Sequence, residues 1–220
     1  MSAVASVPLL LLAAYLLGSI PFAVIVSRAL GLPDPRSFGS GNPGATNVLR
    51  TGSRVAAAIT LLGDAGKGAA AVLLCRALTE SLSLPPMVPA WAGAAAFVGH
   101  LYPLFLRFRG GKGVATFLGT LLALVPLVGF ATCLLWLLVA ALFRYSSVAS
   151  IFCALSASLA LWRIASPSGA ALAVALMSAL LVWRHRRNIA QLLAGTESKI
   201  GQRASASASS ATTTSSAPPG

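Results

Sequence analysis

GVATFLGTLLALVPLVGFATCLLWLLVAALF, residues 113–143, is the stretch on which the fold turns. A membrane-spanning helix needs roughly 20 apolar residues, so the stretch is too long for one crossing. Pro126 interrupts it, and a proline inside a helix removes a hydrogen bond and clashes with the preceding turn. The reading is therefore a short helix over 113–125 and a full one over 127–143. Charge supports the split. Arg28, Arg36, Arg50 and Arg54 flank the connection after a first apolar run at 7–30. Arg107, Arg109 and Lys112 lie two crossings later, Arg144 two after that, and Arg184, Arg186 and Arg187 two further on. The intervening connections hold only Arg76 and Arg163. Short loops rich in Lys and Arg stay in the cytoplasm, so the alternation predicts seven crossings with the amino terminus outside. A single span over 113–143 would break that alternation after Lys112.

The other apolar runs lie at 55–79, 90–106, 147–163 and 169–183, and Pro21 predicts a kink in the first. Composition agrees. Hydrophobic residues make up 57% of the chain and charged ones 9%, against about 25% in soluble domains. Mean hydropathy is +0.84. The fold class is all-α, a polytopic integral membrane protein with about seven transmembrane helices. The excess of 16 Lys and Arg over four acidic residues would suggest nucleic acid in a soluble protein. Here the basic residues sit between apolar runs, which marks topology and excludes nucleic acid. The amino terminus lacks the basic segment of a cleaved signal. Cys75, Cys133 and Cys153 lie singly in apolar runs and read as small core residues. Residues 1–203 form the membrane domain, and 204–220, made of Ala, Ser, Thr, Pro and Gly, read as a disordered tail.

Four polar segments interrupt the runs. In GSGNPGATNVLR (39–50), Gly39, Gly41 and Gly44 free the backbone, and Ser40, Asn42, Thr46 and Asn47 add neutral donors. With Arg50 supplying charge, this is the chemistry of an anion site rather than of a plain turn. In GDAGKG (63–68), Asp64 and Lys67 fall on one helix face, either as a structural ion pair or as ligand contacts. In RFRGGKG (107–113), Gly110, Gly111 and Lys112 precede a helix start, where bare backbone and the helix dipole favour phosphate. The lysines of both segments are followed by glycine, not Ser or Thr, so neither is a nucleotide-hydrolysing P-loop. In WRHRRNI (183–189), His185 and Asn188 are spaced to face one ligand, and Arg184, Arg186 and Arg187 read as anchors. His100 reads as a hydrogen-bonded structural residue. Two histidines with so few carboxylates predict no metal site.

At GSGNPGATNVLR (39–50), GDAGKG (63–68), GHLYPLFLRFRGGKGVAT (99–116) and RHRRNIAQLLAGTESKIG (184–201), the chain resembles the bacterial acyl-phosphate:glycerol-3-phosphate acyltransferases of the PlsY family. The motifs occur in the family's order and cover nearly all of the chain except the tail. One departure is Arg187, where the family carries an acidic residue. The resemblance implies a seven-helix enzyme of the bacterial inner membrane, with its carboxy terminus and active site cytoplasmic. It implies acyl transfer from acyl phosphate to the 1-hydroxyl of glycerol 3-phosphate, with no cofactor and no obligatory protein partner. Carried onto this chain, Ser40, Lys112, His185 and Asn188 are the expected catalytic residues. Gly39, Gly41, Asn42, Thr46, Asn47, Arg50, Gly110, Gly111, Ser146 and Ser147 are the expected substrate-binding residues. Within that set Arg50 and Lys112 neutralise phosphate, and His185 and Asn188 orient glycerol 3-phosphate. The His-x-x-x-x-Asp pattern of other glycerol-phosphate acyltransferases is missing, since Phe105 and Ala190 stand five residues after the two histidines. A transporter for a phosphorylated solute is the alternative, and it lacks the inverted repeat such folds show. A non-catalytic lipid-binding scaffold would not need four separate polar motifs.

Overall fold

The computed structural model describes residues 3–165 and 168–201, and every regular element among them is helical. The first apolar run forms α1 (Ala3–Gly18) and α2 (Phe22–Ala29). A polar loop follows, holding the single-turn α3 (Ala45–Val48). Then come α4 (Arg54–Ser81), α5 (Val88–Leu101), α6 (Val114–Leu124), α7 (Pro126–Phe143), α8 (Ser146–Ala165) and α9 (Gly169–Arg184). The short amphipathic α10 (Arg186–Leu193) runs on from α9.

The break that decides the fold lies where the sequence predicts it. Val125, with φ −139° and ψ 85°, leaves the helical region, and Pro126 opens α7 at a position that needs no N–H donor. Four stretches are long and apolar enough to cross a membrane: Ser6–Ala29, Arg54–Thr79, Pro126–Phe143 and Ser146–Ile164. The other three are shorter. α6 has 11 residues, or about 16 Å at 1.5 Å each, roughly half of a 30 Å hydrocarbon core.

Two segments depart from expectation. The kink predicted at Pro21 is a full break, with residues 19–21 outside any helix. The segment 63–68, read as an interruption, is uninterrupted helix inside α4, and residues 55–62 are the first turns of that same helix. Its glycines serve packing instead. A Cβ on Gly68 would run into the Thr116 carbonyl of α6, and one on Gly119 of α6 into the Ala65 carbonyl of α4. Gly18 and Gly99 do the same between α1 and α5. Without a hydrophobic force between helices in lipid, small residues that let backbones approach are a main source of association.

Phe97, Phe117, Leu121, Leu161, Met177 and Leu181 fill the centre, with the Phe97 and Phe117 rings edge to face at 6.3 Å. Leu62, Leu127, Phe130 and Leu142 point outward, an apolar exterior suited to lipid. Cys75 and Cys153 are core residues as expected, whereas Cys133 is only half-buried. At one end of the bundle Arg76 donates to the Leu124 carbonyl at 3.2 Å, closing the carboxy terminus of α6. The polar connections gather at the other end. There Thr46 meets Ser146 and Lys112 meets Asn188, across 100 and 76 residues of chain. The expected tail at 204–220 lies outside the described residues.

Candidate active site

The first wall is the loop at 39–50. Gly39 and Gly41 take φ of +56° and +65°, a left-handed conformation that favours glycine. A Cβ on Gly39 would collide with the Asn47 amide. That amide is the organiser of the loop. Its Oδ1 accepts from the Ser40 backbone N–H at 3.1 Å, and its Nδ2 donates to the carbonyls of Pro35 at 2.7 Å and Phe38 at 3.2 Å. The Asn47 side chain, expected among the substrate-binding residues, thus makes its hydrogen bonds within the loop. A buried amide with four hydrogen-bonding sites is most stable when neighbouring backbone satisfies them. Ser40 is exposed, Asn42 half-buried, and the Thr46 hydroxyl is paired with that of Ser146 at 3.4 Å. Ser147 turns into the protein, and its buried hydroxyl has no hydrogen-bond partner among the described residues.

The second wall is the glycine turn before α6. The Gly110 N–H donates to the Leu101 carbonyl at 3.2 Å and the Gly111 N–H to the His100 carbonyl at 3.1 Å, so the turn lies across the end of α5. From the other side Arg184 donates to the Gly110 carbonyl at 2.8 Å and twice to the Gly111 carbonyl, at 2.9 and 3.1 Å. Its guanidinium also stacks 5.4 Å from the Tyr102 ring centre. Read from sequence as a helix anchor, Arg184 is instead the clamp on this turn. Arg186, by contrast, lies over Trp183 at 4.8 Å, as an interfacial residue does.

The third wall comes from the chain after α9. Lys112 Nζ donates to Asn188 Oδ1 at 2.5 Å, and Asn188 Nδ2 donates to Glu197 Oε1 at 2.7 Å. Arg50 donates to the Ser198 hydroxyl. The segment is held down by Ile200, whose N–H donates to the Arg144 carbonyl at 2.7 Å, and by Lys199 over the Tyr145 ring at 5.7 Å. Glu197 and Ser198 received no role from sequence. The available signal was that Glu197 is one of only four acidic residues and lies within the fourth motif. Lys112, Asn188, Arg50, Glu197 and Ser198 thus converge from three separate segments.

Burial acts on both titratable groups here. It pushes the Lys112 ammonium down from an ordinary 10.5 to about 8, with the Arg184 and Arg50 charges adding to the fall and Glu197 opposing it. Burial likewise lowers His185 from 6.5 to about 4, helped by Lys112 and Arg184 and opposed by its bond to the Leu181 carbonyl. His185 is therefore neutral at pH 7. Its Nδ1 lies 2.8 Å from that carbonyl and carries the proton, which leaves Nε2 as an acceptor. The helix is broken at His185, between α9 and α10, yet His185 and Asn188 are both buried at this wall.

A pH effect follows. Lys112 is charged below about pH 8 and neutral above it. If it binds phosphate, kcat/KM is expected to fall about tenfold per pH unit as pH rises beyond 8. Stability runs the other way. An unfolded lysine keeps its proton to about 10.5, so the folded state gains relative stability between about pH 8 and 10.5. A flat kcat/KM profile from pH 7 to 9.5 would remove Lys112 from the binding step.

Asp64, Lys67 and His100 are buried inside the bundle, with His100 beneath the glycine turn. Lys67 Nζ is 2.8 Å from Asp64 Oδ1 and donates to the Ile20 carbonyl at 2.9 Å, so both charges find partners within the protein. His100 Nδ1 is 3.3 Å from the same carboxylate oxygen, the partner that its expected structural role required.

Comparisons with known proteins bear on the family and the fold. The family profile described as glycerol-3-phosphate acyltransferase matches residues 8–195. A glycerol-3-phosphate acyltransferase of Bordetella pertussis is 56% identical over 201 residues, covering 88% of this chain and 92% of the relative. Among solved structures, PlsY, an integral membrane glycerol 3-phosphate acyltransferase in its glycerol 3-phosphate form, superposes with a TM-score of 0.82. It is 38% identical and covers 89% of this chain and 96% of the other. The lysophosphatidic acid form gives a TM-score of 0.80 at 37% identity. With match, fold and polar face in agreement, the chain belongs to the glycerol-3-phosphate acyltransferase family and is an integral membrane acyltransferase of phospholipid synthesis.

Proposed function

We propose that the protein transfers a fatty acyl group from acyl phosphate to the 1-hydroxyl of sn-glycerol 3-phosphate, releasing lysophosphatidic acid and inorganic phosphate. The observation that carries this reading is the convergence of Lys112, Asn188 and Arg50 at one polar end of an apolar bundle. Both substrates carry phosphate and one carries a long apolar chain, so a cationic site at the membrane surface suits the pair. The solved relative named above is known in a glycerol 3-phosphate form and a lysophosphatidic acid form, which supports the acceptor and the product.

In the proposed step the 1-hydroxyl oxygen attacks the acyl carbonyl carbon. The bond from that carbon to the phosphate oxygen breaks, and the hydroxyl proton leaves with the released phosphate. Lys112 and Arg50 hold phosphate charge. Asn188 and the free Nε2 of His185 orient the glycerol hydroxyls. With its pKa near 4, His185 is too weak a base to carry the proton at neutral pH. Ser40, Asn42 and Thr46 supply donors to the acyl phosphate, and Ser146, paired with Thr46, borders it. No covalent intermediate is needed, because positioning and preorganised charge lower the barrier.

The site faces the cytoplasm of a bacterial inner membrane crossed seven times. A reporter fused after Gly201 is expected to read cytoplasmic and a tag before Met1 extracytoplasmic; both on one side would refute seven crossings. A chain ending at Arg203 is expected to keep its activity, because the sequence beyond it cannot bury a core. A large loss would assign the tail to the site. The reaction itself is tested with purified protein, acyl phosphate and glycerol 3-phosphate in detergent. Equimolar phosphate release and ester formation support the proposal. Ester formation only with another acyl donor would keep the family and overturn the donor.

A further inference from the structure

His100 lies one residue before the end of α5 and reaches two places at once. Its Nδ1 faces Asp64 at 3.3 Å, and Asp64 is held by Lys67 at 2.8 Å, all three side chains being buried. Lys67 in turn grips the Ile20 carbonyl in the break between α1 and α2. The opposite edge of the ring is packed under the glycine turn. A Cβ added to Gly111 would drive into His100 Nε2, and one added to Gly110 into the His100 carbonyl. Gly111 also donates its N–H to that carbonyl. Gly110 and Gly111 line a cleft of about 10 Å³ together with Asp64, Lys67 and His100. Lys112 is the next residue along. A buried charge pair at this depth is costly and is seldom kept without a role.

We infer that Asp64, Lys67 and His100 form a positioning unit in which the His100 ring, set by Asp64, is the floor on which Gly110 and Gly111 rest and so fixes where Lys112 presents its charge. The inference rests on the proposed role of Lys112 in phosphate binding. None of the three residues touches substrate. The glycine turn is gripped from outside by Arg184 and supported from inside by His100. With both faces held, a one-carbon addition at Gly111 has nowhere to go. This explains why the turn carries glycine at two positions with no left-handed φ to demand it. A merely structural ion pair in the bundle would not place its third member against the residue preceding Lys112.

The test is a double-mutant cycle on the full chain in detergent. His100→Asn keeps a donor for Asp64 but withdraws the ring from beneath Gly111. Gly111→Ala adds the blocked methyl. Alone, His100→Asn is expected to lower kcat/KM for glycerol 3-phosphate about tenfold and Gly111→Ala about thirtyfold, as contacting residues do when they couple. Because removing the ring makes room for the methyl, the double variant is expected to lose no more than about thirtyfold. Independent sites would lose about three-hundredfold. Multiplying losses, or full activity in His100→Asn, would overturn the inference. The same cycle is read without any acyl donor, as the rise in melting temperature that glycerol 3-phosphate produces in each variant. If acyl phosphate supports no turnover but this binding cycle is still coupled, the donor assignment fails and the positioning unit stands. If binding is uncoupled, the positioning unit fails whatever the donor. Loss of folded protein in both His100→Asn and His100→Gln would also overturn it, since the ring would then hold the bundle rather than the turn.

Discussion

Lys112→Ala is expected to lower kcat/KM by about a hundredfold or more in protein shown to be inserted and folded. Removing one preorganised electrostatic donor costs about that much in other sites. Here the ammonium is half-buried and fixed by its bond to Asn188 Oδ1 at 2.5 Å, so its position is preorganised. Gly111→Val is expected to be comparably harmful with no change in charge. Its Cβ enters the His100 ring, and the β-branch cannot turn away. Arg109→Ala is the control. Arg109 is exposed on the same loop, so its loss is expected to cost little. Near-full activity in Lys112→Ala together with a dead Arg109→Ala would leave the membrane topology intact and overturn the site.

The second large effect is expected at Arg184. Its guanidinium makes three hydrogen bonds to two consecutive carbonyls and stacks on Tyr102. Tyr102 is itself fixed, since its carbonyl accepts from the Tyr15 hydroxyl at 2.8 Å. Arg184→Ala leaves the Gly110 and Gly111 carbonyls without their donors. Hydrogen bonds to a charged group are worth about 1.5–3 kcal/mol each, and losing the clamp loosens the turn that carries Lys112. A fall of about a hundredfold in kcat/KM is expected, with the melting temperature also lowered. Arg184→Lys is expected to recover only part of this, because a single ammonium cannot bridge two carbonyls in the way a planar fork can. Activity equal to wild type in Arg184→Lys would mean that charge alone is required, and that the forked geometry is incidental.

Much of this protein is legible in its sequence, for a physical reason. In lipid every backbone group must find its partner within the segment, so apolar length, proline position and basic connections nearly dictate where helices begin and end. The division at Pro126 and the gathering of polar connections at one end follow from those rules. The remainder depends on contacts between residues far apart in the chain, about which local pattern is silent. A composition of Asn, Ser and Thr predicts donors, but not that Asn47 spends its amide on Pro35, Phe38 and Ser40. GDAGKG reads as a polar interruption, yet its glycines let α4 meet α6 closely while its charges pair inward. Arg184 and Arg186 share a residue type and lie two positions apart. Only the tertiary structure decided that one clamps the glycine turn while the other lies on Trp183, because α9 ends between them and turns the two side chains to different neighbours.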